Sequence, residues 1–141
     1  MQGVTFDKKH SYWDWNLMLK EAPVVSPPKP KTKLIDIPGT DGALDLSETL
    51  TGKIHYEMRN ITCTFFLMCD RERWPSLYTE ILNHLHGKTV EIVLDNDPEY
   101  SYTGRAEISS WTPGQNVAEV VIKAKVAPYK VSRHDNREKV L

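Results

Sequence analysis

Residues 54–88 read IHYEMRNITCTFFLMCDRERWPSLYTEILNHLHGK, and along this stretch the apolar period changes from two to about 3.6. Ile61, Cys63, Phe65, Leu67 and Cys69 share one face of an extended segment, with Tyr56, Met58, Thr62, Thr64, Phe66 and Met68 on the other. Both faces turn apolar toward the end. This pattern predicts a strand from Ile54 to Cys69 that buries both sides, in the interior of a sheet or between a sheet and a covering element. Trp74, Leu77, Tyr78, Ile81, Leu82 and Leu85 then recur at i, i+3, i+4, i+7, i+8 and i+11, which draws one apolar stripe along a helix. Asp70 is its candidate cap, Pro75 is tolerable only in the first turn, and Gly87 stands where the helix stops.

Strand patterns flank this strand–helix unit on both sides. Upstream, Gly3 to Leu19 mixes aromatic and polar residues in the manner of short strands joined by a turn. Glu21 to Lys33 carries Pro23, Pro27, Pro28 and Pro30 among lysines, the composition of an extended connector, because each proline fixes φ and lacks a donor. Leu34, Ile35 and Ile37 lead into the turn Pro38-Gly39-Thr40-Asp41-Gly42, and Leu44 and Leu46 return, so a hairpin is predicted. Downstream, Val90, Ile92 and Leu94 alternate in one strand, Tyr100 to Trp111 form another, and Ala118, Val120, Ile122, Ala124 and Val126 mark the cleanest strand of the chain. Tyr129 to Leu141 is charged and without period, a tail expected to be ordered only if a partner holds it. The predicted fold is therefore mainly β with one α-helix: an antiparallel β-sandwich or partly open barrel with the helix packed on one side.

Composition narrows the function. A length of 141 residues with 40% hydrophobic content suits one core. Eighteen basic side chains against 19 acidic ones give a net charge of −1, which offers no strong electrostatic footprint to nucleic acid or to an anionic membrane. The N-terminus lacks a signal-peptide core, and no run of about 18 apolar residues occurs. Soluble synthesis in a cytoplasm is the expectation.

Residues capable of chemistry are scattered. Cys63 and Cys69 lie too far apart along one strand to form a disulfide and are expected to be reduced core thiols. His84 and His86 point about 200° apart on the helix and read as surface residues, while His10, His55 and His134 fall in separate segments without ligand partners. Asp95, Asp97 and Glu99 resemble the opening of a calcium loop, but Pro98 interrupts it and position 12 is Ala106 instead of glutamate. No nucleophile elbow or phosphate-binding glycine loop occurs. There is thus no catalytic residue, cofactor site or metal site to assign, and the chain is not expected to be an enzyme. Trp13, Trp15 and Trp111 fit either a sugar-stacking face or a subunit interface, whereas Trp74 belongs to the helix stripe.

Several stretches resemble the distal tail proteins of siphophages and of related prophages of Gram-positive bacteria: residues Leu34–Leu46, Arg59–Phe65, His84–Lys88 and Asp95–Arg105, with Gly3–Phe6 and Ala127–Lys130 similar in placement. The resemblance covers nearly the whole chain and implies residues 1–130 as a distal-tail-like ring domain, followed by a charged C-terminal tail at 131–141. It further implies a structural virion protein, a hexameric ring at the distal end of the tail. Such a ring links the tail tube to the adsorption apparatus and surrounds the channel through which DNA passes without specific binding. Its partners would be further copies of itself and other tail proteins, the tail tube and the adsorption proteins, with no membrane. Many members add a C-terminal galectin-like domain, for which this chain is expected to have no room. The competing expectation is a carbohydrate-binding β-sandwich module. An exposed aromatic row would favour the module, and complementary patches at opposite edges of the subunit would favour the ring.

Overall fold

The computed structural model of the chain describes residues 2–49, 51–134 and 138–141. In chain order the elements are β1 (Val4–Phe6), β2 (Lys9–His10), the short helix α1 (Ser11–Trp15), β3 (Leu17–Leu19), β4 (Val24–Val25), β5 (Leu34–Ile35) and β6 (Leu44–Asp45). There follow β7 (Arg59–Leu67), a 3-10 turn (Arg71–Arg73) continuing into α2 (Trp74–Leu85), β8 (Thr89–Leu94), β9 (Tyr100–Pro113), β10 (Ala118–Val126), β11 (Lys130–Ser132) and β12 (Lys139–Val140). The main sheet is antiparallel with order β2-β1-β8-β9-β10-β7-β3; β4 also pairs with β7, and β11 with β9. The sheet is not closed, an architecture consistent with the predicted sandwich or partly open barrel.

Period-two patterning sets the centre. Ile61, Cys63, Phe65 and Leu67 of β7 and Ala118, Val120, Ile122, Ala124 and Val126 of β10 all point to the buried side, in a ladder that runs from Ala118↔Leu67 to Val126↔Arg59. On the same side α2 presents Trp74, Leu77, Ile81 and Leu85, so one cluster joins helix and sheet. Gly87, at φ +75°, ends the helix as expected. Asp70 precedes the 3-10 turn, but its side chain makes no capping bond.

The predicted strand Ile54–Cys69 is shorter than its apolar pattern. It begins at Arg59, because Val126 opposite Arg59 is the last residue that β10 offers. Upstream of it the chain pairs with the proline connector instead, through Lys31 N–H to His55 O at 2.7 Å and Glu57 N–H to Lys29 O at 2.8 Å. Nor is β7 buried on both sides: no layer covers its outer face, so Thr62, Thr64 and Phe66 are half-buried and Met58 and Met68 are exposed.

The N-terminal segment holds one element that periodicity did not announce. Asp7 and Lys8, at φ 49° and 73°, make the two-residue turn between β1 and β2. Then α1 forms, with Asn16 in the left-handed conformation at its end. The His10 side chain caps α1: its Nδ1 accepts the N–H groups of Tyr12 (3.1 Å) and Trp13 (3.2 Å). Because Nδ1 accepts, the ring proton sits on Nε2, which donates to Asp95 Oδ2 at 2.8 Å. Through this pair the turn after β8 grips the N-terminus of α1.

Ile81 is fully buried at the meeting point of helix and sheet. Ile81→Ala is expected to lower stability by about 2–5 kcal/mol, since the rigid strands beneath leave a cavity. Chemical denaturation measures this, and an unchanged midpoint would show that the helix is not part of the core.

Candidate functional site

The side chains capable of chemistry are each committed to a separate structural contact. Asp95 accepts from Gly3 N–H and pairs with His10, Asp97 accepts from Lys130 Nζ at 2.6 Å, and Glu99 pairs with His134 at 2.7 Å. The three carboxylates that resembled a calcium loop therefore fix two other segments, the N-terminal one through Asp95 and the tail through Asp97 and Glu99. Among the described residues no three His, Cys, Asp or Glu side chains converge. Of the two predicted surface residues on the helix, His86 is exposed and His84 half-buried, and each makes a contact. His84 Nε2 donates to Phe6 O at 2.8 Å and its ring meets Trp15 edge-on at 5.3 Å, while His86 Nδ1 accepts from Ile108 N–H at 3.1 Å. They tie the end of α2 to β1 and to β9. The sequence carried no signal for this, because both acceptor and donor are backbone groups of distant strands.

Both cysteines are free thiols. Burial pushes the Cys63 thiol up to about 12, and burial also raises Cys69, which lies just past β7 and is partly exposed. The four tryptophans form no row. Trp15 and Trp74 are core residues, Trp111 packs on Tyr78 with ring centroids 4.4 Å apart, and Trp13 alone among the described tryptophans stands out at 69% exposure.

The connector, and the described part of the tail that was expected to need a partner for order, are held by their own chain. In the connector, β4 pairs with β7 through Val24↔Thr62 and Val25↔Ile61, and Pro30 bridges to Tyr56. In the tail, β11 pairs with β9 and β12 with β11; residues 135–137 lie outside the described part. One buried cation links the two segments. The Arg59 guanidinium donates to Ser26 O (3.0 Å) in the connector and to Pro128 O (3.2 Å) before the tail, and it lies over the Tyr102 ring. A side-chain hub of this kind leaves no trace in local sequence periodicity.

What remains unpartnered is surface. β5 and β6 form a separate two-stranded sheet, with Leu34↔Asp45 and Ile35↔Leu44 in register, and Gly39 and Gly42 at positive φ in the turn. This predicted hairpin projects as an arm. Leu34 is 61% exposed, and Ile35, Ile37 and Leu44 are exposed with it, although a two-stranded ribbon with bare apolar side chains is marginal in water. On the outer face of β9 and β10 lies an open groove of about 560 Å³, lined by Met58, Thr89, Thr103, Arg105, Glu107 and Lys123, among others. Gly104 lies along it because a Cβ there would stand 2.2 Å from Lys125 O.

The described residues thus form an open antiparallel sheet with one covering helix and an exposed apolar hairpin. No protein-family model and no curated protein matches the sequence. Among solved structures the fold is similar to that of the SPP1 Dit (gp 19.1) protein, described as a paradigm of the hub adsorption apparatus in Gram-positive infecting phages, with a TM-score of 0.74 and 17% identity. The match covers 94% of this chain and 52% of that one, so the chain spans about half the length of the phage protein.

Two outcomes follow from these contacts. Arg59→Met is expected to cost about 1–3 kcal/mol by leaving half-buried carbonyls unpaired, and to speed hydrogen exchange in both the connector and β11; protection unchanged in either segment would refute the hub role. Cys63 in the folded protein is expected to resist a thiol reagent at pH 8.5 while Cys69 reacts. The unfolded thiol ionises near about 8.5, so Cys63 holds its proton to higher pH when folded. Its contribution to stability is therefore full below that pH and falls as the pH rises toward 12.

Proposed function

We propose that the chain is a structural subunit of a phage tail, acting by self-association and not by catalysis. In this reading copies assemble head to tail into a hexameric ring at the distal end of the tail, joining the tail tube to the adsorption apparatus and leaving a channel for DNA. The observation that carries it is the fold: nearly the whole chain superposes on a phage hub protein, and the sequence stretches that resemble distal tail proteins include the arm, the central strand and the turn after β8. Surface chemistry supports the same reading. The arm and the groove are two unlike exposed features, as a head-to-tail contact requires. A net charge of −1 suits a channel that must release DNA. The dispersed tryptophans argue against a sugar-stacking face.

Mass measurement in solution followed by particle imaging tests the ring, with a six-fold particle open at its centre expected either alone or on the tail tube. Tails that assemble in the phage with no copy of this protein would overturn the reading.

A further inference from the structure

Resting on that reading, we propose that the arm of one copy docks into the groove over β9 and β10 of the next copy, and that opposite charges set its register. The arm is acidic as well as apolar. Between Leu34 and Glu48 the chain carries Asp36, Asp41, Asp45 and Glu48 and no lysine or arginine. Asp45 accepts from Ser47 N–H at 2.9 Å and from the Ser47 hydroxyl, contacts that favour its ionised form.

The groove has the complementary character. Arg105 stands directly opposite Lys125 in the β9–β10 ladder, with Lys123 opposite Glu107. Like charges facing each other across a ladder destabilise it, and neither Lys123 nor Lys125 has an ion-pair partner among the described residues. The Arg105 guanidinium is held in place by donating to Gly87 O at 2.6 Å. Glu107 is the acidic exception, and Met58 offers an exposed apolar wall. No residue of the arm lines this groove in its own chain, so an arm that docks here comes from another copy. It supplies both apolar and acidic side chains. The contact is heterologous: each subunit gives an arm and receives one, which closes a ring when the rotation per step fits.

The test uses the full chain with a photo-crosslinking benzoylphenylalanine in place of Ile37, irradiated both in concentrated solution and in assembled tails. Expected are intermolecular crosslinks to residues 103–107 and 123–125 of another copy. The double variant K123E/K125E, exposed and outside the core, is expected to cut crosslink yield about tenfold, as loss of roughly 1.4 kcal/mol of complementary charge would. D36K/D41K placed on the arm is expected to restore it. Crosslinks confined to the arm's own chain, or mapping elsewhere on the neighbour while six-fold rings persist, would overturn the docking and leave the ring standing. Rings absent from tails that are otherwise complete would overturn the ring reading itself. Absence of crosslinks together with duplex DNA binding that K123E/K125E abolishes would assign the groove to DNA and overturn the proposal.

Discussion

The fold depends on a gap that is filled and not bonded shut. β2 and β3 lie at opposite ends of the main strand order, yet only residues 11–16 join them. A chain of that length reaches from one edge to the other only if the sheet curls back on itself. The edges do not pair. Trp15 occupies the seam: it is fully buried, stacks on Phe6 of β1 at 6.2 Å and meets His84 of α2 edge-on, while the next residue, Asn16, accepts Met68 N–H just beyond β7 at 2.9 Å. Among the described residues the buried Trp15 indole N–H has no partner, a cost that dispersion and apolar burial must offset.

Around this seam the polar residues fasten parts that hydrophobic burial alone would leave loose. His10 and Asp95 lock α1 to the turn after β8, His84 and His86 fix the end of α2 to two strands, and Arg59 holds the connector and the start of the tail. Such bonds contribute modestly one at a time, but each leaves a buried or half-buried group unsatisfied if broken. They explain why side chains that looked like catalytic or metal-binding candidates serve as structural ties. The same economy of contacts leaves the arm outside. It is stitched by its own ladder and by Lys33 N–H to Ser47 Oγ, and the body packs on none of its exposed apolar tips.

The assembly we propose rests on a fold similar to that of a phage hub protein and on two exposed surface features. An arm with bare isoleucine and leucine is a liability in a free subunit and an asset once a neighbour covers it. A groove in which Arg105 faces Lys125 is strained electrostatically until an anion arrives. Both features sit away from the Trp15 seam, so contacts made through them need not disturb the core.

Elements whose signal is local were legible along the chain. β7, α2, β8 and β10 were legible because burial of one face imposes a period of two or 3.6 on consecutive residues, and the Gly39–Gly42 turn was legible because positive φ selects glycine. What only the tertiary structure decided depends on residues far apart in the chain. The strand predicted from Ile54 starts at Arg59 because its partner on β10 runs out there. The connector and the described residues of the tail are held in place because Arg59 and the edges of β7 and β9 lie within reach. Whether Leu34, Ile35 and Ile37 belonged to a core or to a bare arm could not be read from their alternation, since apolar side chains show the same pattern whether the surface that covers them is their own or another molecule's.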